Sequence, residues 1–143
     1  MNVFLNSLRL SQFFLCVFLL WSTCVIDAAE PDTQLASERD QAKIDFFEKR
    51  IRPVLVQQCY KCHSSKAQAD GKLKGGLLLD SRSGLVSGGD SGPAIVVGNA
   101  ADSLLVEAIR YSEDSLQMPP TGKLPAEVIA DFEKWITTGA ADP

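Results

Sequence analysis

Between Asp40 and Gln58 apolar residues return at steps of three and four, at Ile44, Phe47, Ile51 and Leu55, which is the spacing of a helix with one buried face. Pro53 falls inside this run, and its ring and missing N–H predict a kink or a fresh helical start, so that the second piece delivers Cys59 and Cys62 in helical register. A second amphipathic helix is predicted after Pro125, which suits a first helical position. Val128, Phe132, Trp135 and Ile136 share its apolar face and Gly139 suits its stop. Both faces need cover, and packing against each other supplies it, with Trp135 as a core residue. Between them Ser103 to Arg110 reads as a short helix through Leu104, Leu105, Ala108 and Ile109.

Elsewhere the periodicity fails. Eight of the ten glycines lie between Gly71 and Gly98, which predicts a long irregular loop with short extended pieces at Leu77–Leu79 and Ile95–Val97. A segment so rich in glycine is not expected to build a conventional core, but its backbone can follow a flat ligand closely. Gly89-Asp90-Ser91-Gly92-Pro93 looks like part of the nucleophile segment of a trypsin-like protease. It lacks one glycine of that motif, and a chain of this length cannot build two barrels, so it is read as a turn.

The N-terminal end has a different pattern. Residues 1–9 carry one Arg and no acid, Phe13 to Trp21 is an unbroken apolar run, and small and polar residues lead to Ala28 and Ala29. That order predicts a secretory signal peptide over residues 1–28. Extended to Ile26 the run is still short of the ~20 residues that span a bilayer, so no stable membrane insertion is expected after cleavage. Acylation at Cys24 is disfavoured by Trp21, Ser22 and Thr23 before it. Residues 29–39 are read as a flexible N-terminal tail and residues 40–143 as the single domain. The expected location is extracytoplasmic, the periplasm or its equivalent.

Composition narrows the chemistry. The 143 residues have a net charge of −4, which argues against a chain built to coat nucleic acid. Cleavage removes Cys16 and Cys24, leaving Cys59 and Cys62 beside the only histidine, His63. Cys59-Tyr60-Lys61-Cys62-His63 is the C-x-x-C-H pattern of covalent c-type haem attachment. Two thiols one helical turn apart can each form a thioether to a porphyrin vinyl group, and the adjacent imidazole then reaches the iron. A zinc site fails on ligand number, because three donors within five residues are all there is. A thioredoxin-like pair should follow a strand in a βαβ unit, whereas the residues before Cys59 are helical in pattern.

One imidazole leaves the far side of the iron open. No second histidine exists, and Met1 leaves with the signal, so Met118 is the remaining thioether and by elimination the expected sixth ligand. Pro119 and Pro120 after it stiffen the backbone that would present its sulfur.

The stretch from Phe47 to Pro143, with IRPVLVQQCYKCH, KGGLLLDSRSGLVSGGDSGPAIVVG, SLLVEAIRY, QMPP and DFEKWITTGAADP, resembles the planctomycete-type cytochrome c domain. The resemblance implies an all-α, mostly helical, small class I cytochrome c fold wrapped around one covalent haem c, with His63 and Met118 as axial ligands, in an exported protein. It implies a one-electron carrier rather than an enzyme, serving redox partner proteins. Two other classes stay open at this stage. One is a haem peroxidase or sensor with an open sixth site, although no distal acid–base pair is evident. The other is a haem module of a larger secreted assembly.

Charge is unevenly spread. Residues 61–82 hold Lys61, Lys66, Lys72, Lys74 and Arg82 against Asp70 and Asp80, whereas residues 83–143 hold three basic and nine acidic side chains. Either this is a solvated lysine-rich loop, or it orients an acidic partner over the haem edge.

Overall fold

The apolar run from Ile44 to Leu55 lies on one uninterrupted helical rod. The computed structural model describes residues 31–112 and 116–142, and the rod occupies the first part of it. Helix α1 (Pro31–Phe46) passes into a π-helical turn (Phe47–Ile51), a short α-helical turn α2 (Arg52–Val54), and a second π-helical turn (Leu55–Cys59). Pro53 therefore neither ends nor restarts the helix. A proline ring collides with the carbonyl four residues back, and the wider turn before it, closed by the Arg52 N–H on the Phe47 carbonyl, gives the ring room.

Residues 31–39, read from the sequence as a flexible tail, are helical. Their composition explains it: Gln34, Leu35, Ala36 and Glu38 are good helix formers, and a helix already nucleated at the core extends backwards at little cost. Side-chain pairs three or four residues apart add support, with Lys43 on Asp40 at 2.9 Å, Lys49 on Asp45 at 2.8 Å and Gln41 on Asp45 at 2.9 Å. This part of α1 has no apolar face, and its side chains from Asp32 to Lys43 are exposed. The predicted signal peptide, residues 1–28, and the residues to Glu30 lie outside the described residues.

Past the rod come α3 (Ser65–Ala69), α4 (Arg82–Ser87), α5 (Leu104–Arg110) and α6 (Ala126–Thr137). Among the described residues there is no strand, only isolated bridges at Gly89–Gly92 and Val96–Asn99. The fold is all-α, as the sequence implied. The terminal helices pack as expected: the Phe47 ring lies 5.5 Å from Trp135, and Phe132 meets Trp135 edge-on at 6.1 Å. Arg50 binds Asp131 at 2.7 Å across the same seam, and Arg110 binds Glu133 at 2.9 Å between α5 and α6. Trp135 is buried, with its indole N–H on the Ala141 carbonyl at 2.8 Å.

The glycine-rich segment departs from expectation in two ways. It contains α4, and it contributes Leu79, Leu85, Ala94 and Ile95 to the same core as the terminal helices. Ser81 caps α4 by accepting the Gly84 N–H at 3.1 Å. Glycine permits the tight return that follows: a Cβ at Gly88 would lie 1.7 Å from the Gly92 carbonyl oxygen, and one at Gly84 2.4 Å from that of Leu78. A segment without regular periodicity can thus still bury side chains, because its backbone packs closely enough to bring Leu79 and Ile95 together. Leu77–Leu79 and Ile95–Val97 are not strands, and Val96 and Val97 are exposed. Residues 89–93 form a turn, with Gly92 N–H on the Gly89 carbonyl at 3.0 Å and Gly89 N–H on the Gly92 carbonyl at 3.1 Å.

Candidate functional site: the Cys59–His63 turn

Cys59, Cys62 and His63 are brought together by local backbone geometry. The rod ends at Cys59, and the N–H groups of Cys62 and His63 both bond the Cys59 carbonyl at 3.0 Å. This final turn sets the two thiols one turn apart, as the spacing required. Both cysteines are free and half-buried. Ser64 then starts α3, accepting the Ala67 N–H at 3.1 Å and donating its hydroxyl to the Tyr60 carbonyl at 2.7 Å. The helix change immediately after His63 fixes where the imidazole leaves the chain.

The loop clamps this turn from outside. Leu79 N–H bonds the His63 carbonyl at 3.0 Å, and Lys74 N–H bonds the Cys62 carbonyl at 3.1 Å. Ser65 N–H bonds the Asp80 carboxylate at 2.7 Å. Glycines at 75 and 76, with φ of +60° and +61°, let the chain turn between these clamps.

The electrostatics favour neutral donors. Burial pushes the Cys59 thiol up to about 11, so it stays protonated at neutral pH. A disulfide-exchange cysteine needs the opposite shift, and here a helix rather than a strand precedes the pair. Burial also lowers the His63 imidazole below its ordinary value, against a smaller upward pull from the backbone carbonyls of Leu77 and Lys74. His63 Nδ1 is buried without a hydrogen-bond partner. A neutral imidazole, half-buried and beside two thiols, is the donor set that a c-type haem requires, and the residues present therefore fit that group.

Met118 lies on a separate segment. It lies half-buried after the end of α5, where its N–H bonds the Ala108 carbonyl at 3.0 Å. The Tyr111 hydroxyl donates to the Pro119 carbonyl, and Gly122 N–H bonds that carbonyl at 3.2 Å. The turn is tied towards the motif through Thr121 Oγ1, which donates to Gln58 Oε1 at 3.5 Å, next to Cys59. Sequence reading overlooked Tyr111. Its one visible signal is its position directly after a short helix, where it adopts the left-handed conformation at φ +62°. Arg82 was likewise counted only as a charge, although it holds the carbonyls of Gly139 and Ala140 and the Asp142 carboxylate.

Among the described residues no group of three or more His, Cys, Asp and Glu side chains is placed to hold a bare metal ion. No helix among them is long and apolar enough to cross a membrane. No curated protein and no solved structure matches the chain. The family model of the planctomycete cytochrome C domain matches residues 59–122, a little under half of the chain, starting at the first cysteine of the motif and ending in the turn after Met118. Over Cys59 to Gly122 the chain is thus similar to the planctomycete cytochrome C family.

Proposed function

We propose that this chain is a one-electron carrier of an extracytoplasmic compartment, holding a single haem c through thioethers at Cys59 and Cys62, with His63 and Met118 as axial ligands. The observation that carries this reading is the Cys59–His63 turn, in which two free thiols and a half-buried, neutral imidazole, its buried Nδ1 unpartnered, share one helical turn. The similarity of residues 59–122 to a cytochrome c family supports the chemical class, haem-based electron transfer.

When bound, the haem supplies a centre that changes oxidation state by one electron without making or breaking a bond. The chain's residues set the conditions. His63, kept neutral by burial, offers a lone pair, while the thioether of Met118 favours the reduced state more than a second imidazole would. Leu79, a core residue whose N–H bonds the His63 carbonyl, would help keep water from that side of the turn, which disfavours the extra charge of an oxidised centre. Residues 1–28 direct export and are removed, which places attachment outside the cytoplasm.

Expression with a cytochrome c maturation system, followed by intact mass and a denatured haem spectrum, tests this directly. A mass equal to residues 29–143 plus one haem, with the spectrum of two thioethers, is expected. A colourless protein at the bare-chain mass overturns it.

A further inference from the structure

Asp80 holds a carboxylate against the motif turn without an ionic partner. Its Oδ2 accepts the Ser65 N–H at 2.7 Å, and the residue before it, Leu79, donates its own N–H to the His63 carbonyl at 3.0 Å. Two consecutive loop residues thus grip the backbone on either side of Ser64, whose hydroxyl is itself engaged with the Tyr60 carbonyl and the Ala67 N–H. The second oxygen of Asp80, Oδ1, is buried with no hydrogen-bond partner. Two arginines line the same cavity of about 380 Å³, and both are committed elsewhere: Arg52 to Glu48 at 2.8 Å and Arg82 to Asp142 at 3.2 Å. A neutral acceptor would serve the Ser65 N–H as a carboxylate does. A charge left with one oxygen unpartnered costs stability, so the charge itself calls for a role.

The field of Asp80 reaches the motif. Burial raises the Tyr60 hydroxyl above its ordinary value; the Arg52 guanidinium opposes that rise and the Asp80 carboxylate adds to it.

We infer that Asp80 is a positioning residue for the His63 imidazole, and that its charge holds the reduction potential below the value the Met118 thioether and the apolar cover would set. The inference rests on the proposed ligation by His63. The grip on residues 63 and 65 fixes the backbone from which the imidazole projects, so the ring is presented in one orientation. The oxidised centre carries one more positive charge than the reduced one, and a negative charge held out of water on the His63 side favours it. Salt screens a buried charge much less than an exposed one, so the effect persists at moderate ionic strength. Reduction adds one electron, with no bond made or broken.

Two substitutions separate the charge from the hydrogen bond. In the matured holoprotein, Asp80→Asn keeps an acceptor for the Ser65 N–H and removes the charge. It should raise the ferrous-to-ferric ratio at a fixed solution potential about tenfold, equal to ~59 mV for one electron, and leave the ferric EPR spectrum unchanged. Asp80→Ala removes both. It should raise the ratio as far, shift the EPR g-values that report how the imidazole is held, and speed hydrogen exchange at the Ser65 amide at least about tenfold. Glu127→Gln, the same charge change on the exposed face of α6, should leave the ratio within about twofold. An Asp80→Asn ratio no different from that of Glu127→Gln overturns the inference, and so does an Asp80→Ala protein whose EPR spectrum and Ser65 exchange match those of Asp80→Asn. If Asp80→Ala fails to fold, the ratio in Asp80→Asn alone decides. Intact mass and the haem spectrum of the wild type separate this failure from failure of haem attachment, which would overturn the carrier reading as well.

Discussion

The turn that presents Met118 is held, among other bonds, by its own N–H on the Ala108 carbonyl and by the Tyr111 hydroxyl on the carbonyl of Pro119. On the proposed ligation, Met118→Ala removes the sulfur, and the oxidised protein should lose its long-wavelength sulfur-to-iron absorption band while the reduction potential falls. An absorption spectrum and a redox titration check this; a band that survives the substitution excludes Met118 as the ligand. Tyr111→Phe removes one hydrogen bond and leaves the ring. It should lower stability by about 1 kcal/mol and weaken the same band without abolishing it, as read by thermal unfolding and by the spectrum. The motif residues and Met118 are legible in the sequence because so few donors exist: one histidine and, past the predicted signal peptide, two cysteines and one methionine. Tyr111 is not legible, since its role depends on a carbonyl eight residues away whose position the fold sets.

Between elements, the glycine-rich segment is the part most sensitive to a single atom. Gly88 has φ +73° and faces the Gly92 carbonyl, so Gly88→Ala adds both a strained backbone and a collision. A loss of about 2 kcal/mol or more is expected, measured by denaturant unfolding, and an unchanged midpoint would show that the return between α4 and Ile95 is looser than its geometry implies. The periodic elements were readable because their apolar spacing reports one buried face: Phe47, Ile51 and Leu55 on the rod, and Phe132, Trp135 and Ile136 on α6. The cap at Ser81 offered a local signal for α4, masked by the glycines around it. The passage of the rod through Pro53 had no such signal, because π-helical turns depend on how neighbouring carbonyls are satisfied rather than on residue pattern.

Across the whole molecule, the C-terminal residues are fastened to the loop by one side chain. Arg82 reaches the carbonyls of Gly139 and Ala140 and, at 3.2 Å, the carboxylate of Asp142, while Ala140 itself is fully buried. Arg82→Ala should cost about 1–3 kcal/mol, since it leaves the Ala140 carbonyl without this donor, and hydrogen exchange should show the end of α6 opening first. Arg82→Lys should recover only part of the loss, because one ammonium cannot reproduce the guanidinium fork.

What the amino-acid order fixed unaided was local: two amphipathic helices, a glycine-rich connection, and a donor set whose spacing spans one helical turn. These follow from short-range rules of periodicity and covalent reach. The fold alone settled the long-range facts. It put Leu79 and Ile95 in the core and brought the Met118 turn up to Gln58. Each of these depends on where the backbone returns through space, which no local pattern encodes.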